Sequence, residues 1–471
     1  MRKTLLVLAL STSLFTFCSA QFNILHSFND TLGANPWGNL TLAGNKLYGL
    51  ATVGGLHSQG CIFSIDTDGS NYKDLLDFTG VNGAYPKGSL TISGKVMYGM
   101  TSTGGSHNYG RIFSVDTDGI AYANLLDFNG ANGNAPRGSL TLAGNKLYGM
   151  TSAGGTQSSG NLFSIDISGG GYKDLLDFDT ANGRSPFGSL LLSGKKLYGM
   201  TYQGGAHDSG CIFSIDTNGG SSYRDLFDFK SAKGYYPQGD VTLSGNKLFG
   251  MTWIGGANDW GVIFSIDTNG GGYKDLVDFN YNTNGGQPQG SLTLSGSGSV
   301  LYGMTFDGGQ YTEGLLFSLD TNGNNFKDLY DLNSAKGNLP YGSFTLSGHE
   351  LYGMTSAGGA YTEGVIFGCD TAGGLTGINN LIAATGSVNV YPNPSNGVFT
   401  VQMENGKWKM ENEKATIEVY NLLGERKYSQ FSILNSQLLL DLSSNPDGVY
   451  LYRITATDGE LIGEGKLIIQ K

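Results

Sequence analysis

The fold is decided by residues 138–178, GSLTLAGNKLYGMTSAGGTQSSGNLFSIDISGGGYKDLLDF, a pattern that recurs seven times in the 471-residue chain. Each copy contains four short apolar runs separated by turns rich in Gly, Asn and Ser. In the quoted copy we predict strands at 140–142, 146–151, 161–166 and 172–178. The chain has 76 Gly, yet 39% of its residues are apolar. With a regular period, this composition indicates many turns rather than disorder.

The aromatic residue of the second run sets the period. It occurs at Tyr48, Tyr98, Tyr148, Tyr198, Phe249, Tyr302 and Tyr352, with spacings of 50, 50, 50, 51, 53 and 50 residues. A period near 50 residues with four strands per copy is typical of the blades of a β-propeller. The fourth run, YKDLLDF, is the most polar, which places it at the outer edge of the blade. The chain is therefore predicted to run outward from the hub within each copy.

The ends of the repeat array predict how it closes. Residues 22–28, FNILHSF, match the fourth run but precede the first complete copy, while the last copy ends at Asp370 without a fourth run. An open array of repeats would need capping units at both ends. We therefore predict an all-β chain with a seven-bladed β-propeller over residues 21–370, in which the N-terminal strand completes the last blade.

The segments outside the repeats have different compositions. Residues 1–20 have a basic start, an apolar core and a small-residue end, which predicts a signal peptide. No later apolar run approaches membrane length, so the mature chain is expected to lack a transmembrane segment. Residues 371–387 are predicted to be a linker, and 388–471 a small Ig-like β-sandwich. The net charge of −11, without a Lys/Arg run, argues against nucleic-acid binding.

Two resemblances add to this interpretation. The motif LYGMTxxGG followed by GxIFSID resembles the choice-of-anchor tandem-repeat GloVer family, and its layout is also kelch-like; both imply a propeller over residues 22–370 without a defined activity. Residues 391–394 (YPNP), 421–424, 448–450 (GVY) and 466–471 resemble the type IX secretion system (type A) C-terminal sorting domain found in Bacteroidetes. That resemblance implies export through the periplasm, recognition by the type IX machinery, and a final location outside the cell or on its outer-membrane surface.

Two sets of long loops supply the candidate binding residues. One set joins the second and third strands of each copy, and the other connects one copy to the next. Because neighbouring strands alternate in direction, both sets are expected on one face of the propeller, where loops over a rigid scaffold often bind ligands. Aromatic side chains beside acidic ones suit stacking on sugars or docking of a protein segment. The candidates are Trp37, Tyr85, Tyr109, Tyr202, Trp253, Trp260, Tyr311, Glu313, Tyr361 and Glu363. For each residue, the alternative is that it packs within its own loop.

No residue pattern identifies a reaction. Glu313 and Glu363 hold the same position in the last two copies, and paired carboxylates are what a glycosidase needs; repetition of the motif explains them equally well. We predict no catalytic set, no metal site and no cofactor. The leading hypothesis is an exported, non-enzymatic module that binds a glycan or a protein. The alternatives are a hydrolase or lyase acting on polysaccharide, and a structural surface protein.

Overall fold

The computed structural model describes residues 21–371, 388–403, 414–421, 426–433, 437–456 and 461–471. The chain divides into two compact units, residues 1–373 and 374–471. The predicted signal peptide lies outside the described residues. So do positions 372–387 of the predicted linker and positions 422–425 of the sorting-domain motifs.

Residues 21–371 form seven four-stranded antiparallel sheets, and this part of the chain contains no α-helix, only a 3-10 turn at Ser231–Lys233. The predicted all-β fold is therefore confirmed. The strands, grouped by sheet, are β1 (Gln21–Ser27), which belongs to sheet 7; β2 (Thr41–Ala43), β3 (Lys46–Ala51), β4 (Cys61–Asp66), β5 (Lys73–Asp77) in sheet 1; β6 (Thr91–Ser93), β7 (Val96–Thr101), β8 (Arg111–Asp116), β9 (Ala123–Asp127) in sheet 2; β10 (Thr141–Ala143), β11 (Lys146–Thr151), β12 (Asn161–Asp166), β13 (Lys173–Asp177) in sheet 3; β14 (Leu191–Ser193), β15 (Lys196–Met200), β16 (Cys211–Asp216), β17 (Arg224–Asp228) in sheet 4; β18 (Thr242–Ser244), β19 (Lys247–Met251), β20 (Val262–Asp267), β21 (Lys274–Asp278) in sheet 5; β22 (Thr293–Leu294), β23 (Val300–Met304), β24 (Leu315–Asp320), β25 (Lys327–Asp331) in sheet 6; and β26 (Thr345–Ser347), β27 (Glu350–Thr355), β28 (Val365–Asp370) in sheet 7.

Burial within a sheet follows the polarity of the four runs. In sheet 3 the two middle strands, β11 and β12, are buried along almost their whole length, whereas the fourth strand, β13, is largely accessible to solvent. The first and fourth strands differ slightly from the sequence prediction, which began the first at Leu140 and extended the fourth to Tyr172 and Phe178. Leu140 ends the preceding connection, and the Tyr172 hydroxyl donates to the Asn132 carbonyl at 2.9 Å.

Consecutive sheets pack through one recurring aromatic pair. The Phe that follows the outer strand of each of five sheets contacts the Phe in the third strand of the next sheet. Phe78 contacts Phe113 edge to face with centroids 5.4 Å apart, for example. At the N-terminus Phe28 makes the same contact with Phe63, at 5.3 Å. β1 pairs antiparallel with β28, so this contact links sheet 7 to sheet 1 with the geometry found between the other sheets.

The last sheet departs from a charge pattern that four others share. In sheets 1, 3, 4 and 5, a Lys at the start of the second strand forms an ion pair with the Asp at the end of the third, as Lys146 does with Asp166 at 2.8 Å. Sheet 7 places Glu350 opposite Asp370 instead. Burial, followed by the charge of Asp370, raises the pKa of Glu350 to about 7. Like charges opposite each other across two strands destabilise a sheet.

Glu350→Lys should therefore stabilise the protein by about 1 kcal/mol at pH 8. The pKa of Glu350 lies above its unfolded value, so the wild type gains stability as Glu350 binds a proton below pH 7. The difference in stability between Glu350→Lys and the wild type should accordingly be smaller at pH 5.5 than at pH 8, and thermal melting at the two pH values would measure it. Lys146→Glu, which creates the same like-charge pair in sheet 3, should have the opposite effect. Equal melting of Glu350→Lys and wild type at pH 8 would contradict the prediction.

The second unit has two antiparallel sheets. The strands are β29 (Val388–Tyr391), β30 (Val398–Met403), β31 (Lys414–Asn421), β32 (Arg426–Ile433), β33 (Gln437–Asp441), β34 (Gly448–Ala456) and β35 (Leu461–Ile469). They pair in the orders β29-β30-β33 and β32-β31-β34-β35. Buried side chains from both sheets, such as Phe399 and Ile417, form one core. The Asn393 side chain donates to the Lys466 carbonyl at 2.6 Å and accepts from the Ile468 amide at 2.9 Å, so two segments of the predicted sorting motif lie in contact.

Candidate functional site

The seven sheets meet at a circle of glycines, one from each connection into a first strand. A Cβ added at Gly138 would lie 2.2 Å from the carbonyl oxygen of Gly188, and each of the other six glycines stands in the same relation to the next. The last of them, Gly342, faces Gly38 and completes the circle. We call Gly38, Gly88, Gly138, Gly188, Gly239, Gly290 and Gly342 the glycine collar. Only residues without a side chain permit so close an approach.

Hydrogen bonds also join the residues that directly follow the collar glycines. The amide of Ser139 donates to the Ser189 hydroxyl, and equivalent bonds of 2.5 to 2.8 Å join all seven sheets in order. The final bond, from the Ser343 amide to the Asn39 side chain, spans the sequence ends of the repeat unit. A cavity of about 90 Å³ lies on this collar. Since each sheet contributes three equivalent residues to its lining, the cavity lies on the axis of the circle.

The long loops around the cavity are tied to one another. The connection from one sheet to the first strand of the next contains a proline. In all seven sheets, the residue before this proline donates its amide to a carbonyl in the second-to-third-strand loop of the preceding sheet. The Tyr85 amide, for example, donates to the Gln59 carbonyl at 2.9 Å. The residue before the proline also has a positive φ, between 49° and 59°. A residue before proline rarely adopts this left-handed conformation, so the backbone here is strained and held by its surroundings. Both long-loop sets therefore lie together on one face.

One variable residue from each sheet surrounds the entrance to the cavity. These residues follow the proline and precede the collar glycine; they are Trp37, Lys87, Arg137, Phe187, Gln238, Gln289 and Tyr341. We call them the mouth residues. On one side Trp37 stacks on Tyr341 with centroids 4.3 Å apart. On the other, Phe187 stacks on Tyr202 at 4.5 Å, and Tyr202 stacks in turn on Tyr236 at 4.9 Å. Two aromatic surfaces thus flank the cavity.

Two cations lie between these aromatic surfaces. The Lys87 ammonium is 4.3 Å from the centre of the Trp37 ring, and the Arg137 guanidinium is 4.0 Å from that of Phe187. Burial, followed by the charge of Arg137, lowers the pKa of Lys87 to about 8, and burial lowers the pKa of Arg137. The cavity lining contains one carboxyl, that of Asp240, whose pKa burial raises. The mouth therefore contains two cationic side chains and one carboxyl, and burial disfavours the charged form of each cation.

Three of the ten predicted binding residues lie at or beside the mouth. Trp37 lines the cavity. Tyr202 stacks on the mouth residue Phe187, and the ring centroids of Tyr202 and Trp253 lie 6.5 Å apart. The Trp253 indole nitrogen is buried and has no hydrogen-bond partner among the described residues. The structure thus joins residues of both predicted loop sets in one aromatic surface.

The other seven predicted residues are not part of the cavity lining. Trp260 packs on Tyr281 at 4.6 Å. The Glu313 carboxylate accepts from the Ser334 hydroxyl at 2.5 Å, and that of Glu363 accepts from the Asn35 side chain at 3.1 Å, so each carboxylate is bound to a different loop. The remaining members are four exposed tyrosines of the loop surface, Tyr85, Tyr109, Tyr311 and Tyr361.

The sequence prediction missed Lys87 and Phe187 and gave Arg137 and Tyr341 no special place. A signal was available: the triplet Pro-x-Gly recurs in every copy, as PWG, PKG, PRG, PFG, PQG, PQG and PYG. Its middle residue varies while its neighbours do not, and the structure brings all seven middle residues to the mouth.

Two further features concern metal and thiol chemistry. Across the described parts of the chain, no group of three or more His, Cys, Asp or Glu residues is arranged to bind a metal ion. Cys61, Cys211 and Cys369 are free and buried. Burial raises the pKa of the Cys211 thiol to about 12, which disfavours the reactive thiolate.

Comparison with family profiles gives two matches. Three overlapping stretches, residues 11–213, 145–300 and 197–408, match the profile described as the Gloeobacter/Verrucomicrobia repeat. Residues 389–470 match the profile of the secretion system C-terminal sorting domain. Both resemblances predicted from the sequence motifs are confirmed. No curated protein matches the chain. No helix in the described segments is long and apolar enough to cross a membrane.

Similar solved structures include three neuraminidase-like proteins. That of subtype N11 from A/flat-faced bat/Peru/033/2010 (H18N11) is 12% identical, with 77% of this chain and 97% of that chain covered and a TM-score of 0.36. That of subtype N10 from A/little yellow-shouldered bat/Guatemala/060/2010 is 10% identical, with 64% and 95% covered and a TM-score of 0.37. That from A/bat/Guatemala/164/2009 is 9% identical, with 77% and 97% covered and a TM-score of 0.37. Such scores are too low to relate the sites of those proteins to this one.

Proposed function

Because the chain belongs to the Gloeobacter/Verrucomicrobia repeat family and carries a secretion system C-terminal sorting domain, we propose that it is an exported binding protein that takes a carbohydrate at the mouth of its repeat unit. The type IX sorting domain directs export to the cell surface or beyond and implies contact with the secretion machinery. Residues 1–20 would serve as the signal peptide for the first membrane. Residues 371–387 would link the repeat unit to the sorting domain at 388–471, which would be Ig-like.

The proposed scaffold is a seven-bladed β-propeller. Three observations support it: seven four-stranded sheets, a glycine collar that closes on itself, and a Phe28–Phe63 contact that matches those between the other sheets. In this arrangement β1 completes the last blade. A closed ring of sheets is rigid, and it presents the mouth residues at fixed positions around one axis.

The observation that carries the proposed function is the pair of aromatic surfaces at the mouth. Trp37 and Tyr341 on one side, and Phe187 and Tyr202 on the other, place aromatic rings beside an axial cavity. Aromatic faces bury the apolar face of a sugar ring, and nearby amide and hydroxyl groups can bind its hydroxyls. Gln238, Gln289 and the serines that follow five of the collar glycines supply such groups in the cavity lining.

The composition of the mouth favours binding over hydrolysis. Glycoside hydrolysis uses two carboxyl groups placed on either side of the bond that breaks. Among the described residues that line the cavity, Asp240 alone has a carboxyl group, and it accepts a hydrogen bond of 2.5 Å from the Ser189 amide. Glu313 and Glu363, the predicted carboxylate pair, bind separate loops.

Trp37→Ala should weaken carbohydrate binding about tenfold or more, because a central aromatic contact contributes more than about 1.4 kcal/mol to binding. The measurement is a glycan array with the full exported chain, followed by calorimetric titration of each sugar that binds. Incubation of the same sugars with the protein would detect any cleavage products.

The matched control is Trp260→Ala, which removes a tryptophan from the same face but away from the cavity. It should leave affinity unchanged. If neither variant alters the affinity for a sugar that binds the wild type, the mouth is not the site. If no sugar binds, the carbohydrate proposal is wrong, and product formation would establish the hydrolase or lyase alternative.

A further inference from the structure

The two cations at the mouth differ in their surroundings from the lysines and arginines that form ion pairs. Lys46, Arg111, Lys146 and Arg184, among others, form ion pairs with carboxylates at 2.5 to 3.0 Å. Within the described residues, Lys87 and Arg137 have no carboxylate within ion-pair distance. They are instead held over aromatic rings and close enough to each other for their charges to interact.

Keeping this pair of like charges together is unfavourable for the unliganded protein. Both side chains are partly buried, and removing a charge from water is costly unless an opposite charge compensates. Cation–π contacts with Trp37 and Phe187 offset part of that cost. They also fix the direction of each cation, because a charge over a ring face cannot swing freely into solvent. Two oriented, uncompensated cations beside one cavity constitute a site for an anion.

We propose that Lys87 and Arg137 bind the anionic substituent of an acidic saccharide, a carboxylate or a sulfate, whose sugar ring lies at the mouth. This inference rests on the proposed carbohydrate-binding function. The cavity of about 90 Å³ is small beside the several hundred Å³ of pockets that enclose whole ligands. It therefore admits the substituent, while the ring of the sugar remains at the rim.

Because the whole chain is acidic, Lys87 and Arg137 must supply the preference for acidic over neutral sugars. With a net charge of −11, the protein does not attract polyanions in general. An acidic saccharide must therefore gain its affinity from the two cations at the mouth. Arg137 can bind a carboxylate or sulfate with two parallel hydrogen bonds, and Lys87 can add a charge-assisted third.

The test uses the full exported chain and three sets of oligosaccharides: carboxylated ones such as oligogalacturonates, sulfated ones, and neutral ones of similar length. Lys87→Gln and Arg137→Gln should each reduce affinity for the acidic sugars about tenfold or more, since hydrogen bonds to charged groups are lost. Affinity for neutral sugars should fall much less than affinity for the acidic ones. Lys87→Arg, which keeps the charge, should retain most of the binding. Comparing the carboxylated and sulfated sets identifies the source of the anion.

The control for net charge is Lys95→Gln, which removes an exposed lysine in the turn between β6 and β7. It should leave affinity for every sugar unchanged, and added salt should weaken acidic-sugar binding by the wild type more than by Arg137→Gln. If only neutral sugars bind, or if Lys95→Gln and Lys87→Gln have equal effects, the inference is wrong while carbohydrate binding stands. If no sugar of any set binds, the proposed function itself fails.

Discussion

Gly138→Ala should lower the free energy of unfolding of the repeat unit by about 3 kcal/mol or more. The added methyl carbon would lie 2.2 Å from the carbonyl oxygen of Gly188 and 2.6 Å from its carbonyl carbon. Both atoms belong to the backbone of the next sheet, so no side chain can rotate away. Sheet 4 cannot move away to make room, because its collar glycine, Gly188, is in similarly close contact with Gly239 of sheet 5. The strain therefore spreads round the collar instead of relaxing locally.

The matched control is Gly170→Ala in the turn between β12 and β13. A Cβ at Gly170 would have no atom within 4 Å, and its φ is not positive. The substitution should therefore change stability by no more than about 0.5 kcal/mol. Chemical denaturation followed by tryptophan fluorescence would measure both variants, since Trp37, Trp253 and Trp260 all lie in the repeat unit. Equal midpoints for the two variants would show that the collar is looser than the structure indicates.

The strands of the repeat could be predicted because their signals are local. Apolar runs such as LYGM and IFSID, with turn residues between them, set the bounds of β11 and β12 as they are observed. The first strand of each sheet was harder to place. Leu140 looks like part of a strand in the sequence, yet in the structure it lies just before β10, next to the collar. Its apolar character reflects burial between sheets, which a strand and a connection can share.

The site could be predicted only in part because its members meet around an axis that no single repeat contains. Trp37 and Tyr341 stack on each other from opposite ends of the repeat unit. The Pro-x-Gly triplet distinguishes both residues from Trp260, which packs within its own region against Tyr281, but the triplet does not show that its middle residues meet around one axis. The sequence alone does not mark Lys87, because a lone lysine in a loop is ordinarily a solvated side chain. Its importance comes from Trp37 and Arg137, which belong to the sheets on either side.

Removal of residues 21–28 should destabilise the repeat unit far more than the length of the segment suggests, lowering its melting temperature by about 10 °C or more. β1 forms six backbone pairings with β28, and its loss would leave the outer edge of β28 unpaired. Phe22 stacks on Tyr330 at 4.2 Å and on Phe367 at 4.7 Å, so sheet 7 would also lose contacts with sheet 6. Melting of a chain that begins at Asn29 would measure the effect.

Two point variants separate closure of the circle from simple loss of chain. Phe28→Ala removes a fully buried ring that contacts Phe63 of sheet 1, and should cost about 3 to 5 kcal/mol. Asn23→Ala alters an exposed residue of β1 and should be nearly neutral. A synthetic peptide of residues 21–28, added to the shortened chain, should restore part of the lost stability. Unchanged melting of the shortened chain would mean that six complete sheets and a three-stranded seventh close without the N-terminal strand. In that case the collar and its hydrogen bonds would suffice to hold the circle, because they join all seven sheets without any contribution from β1.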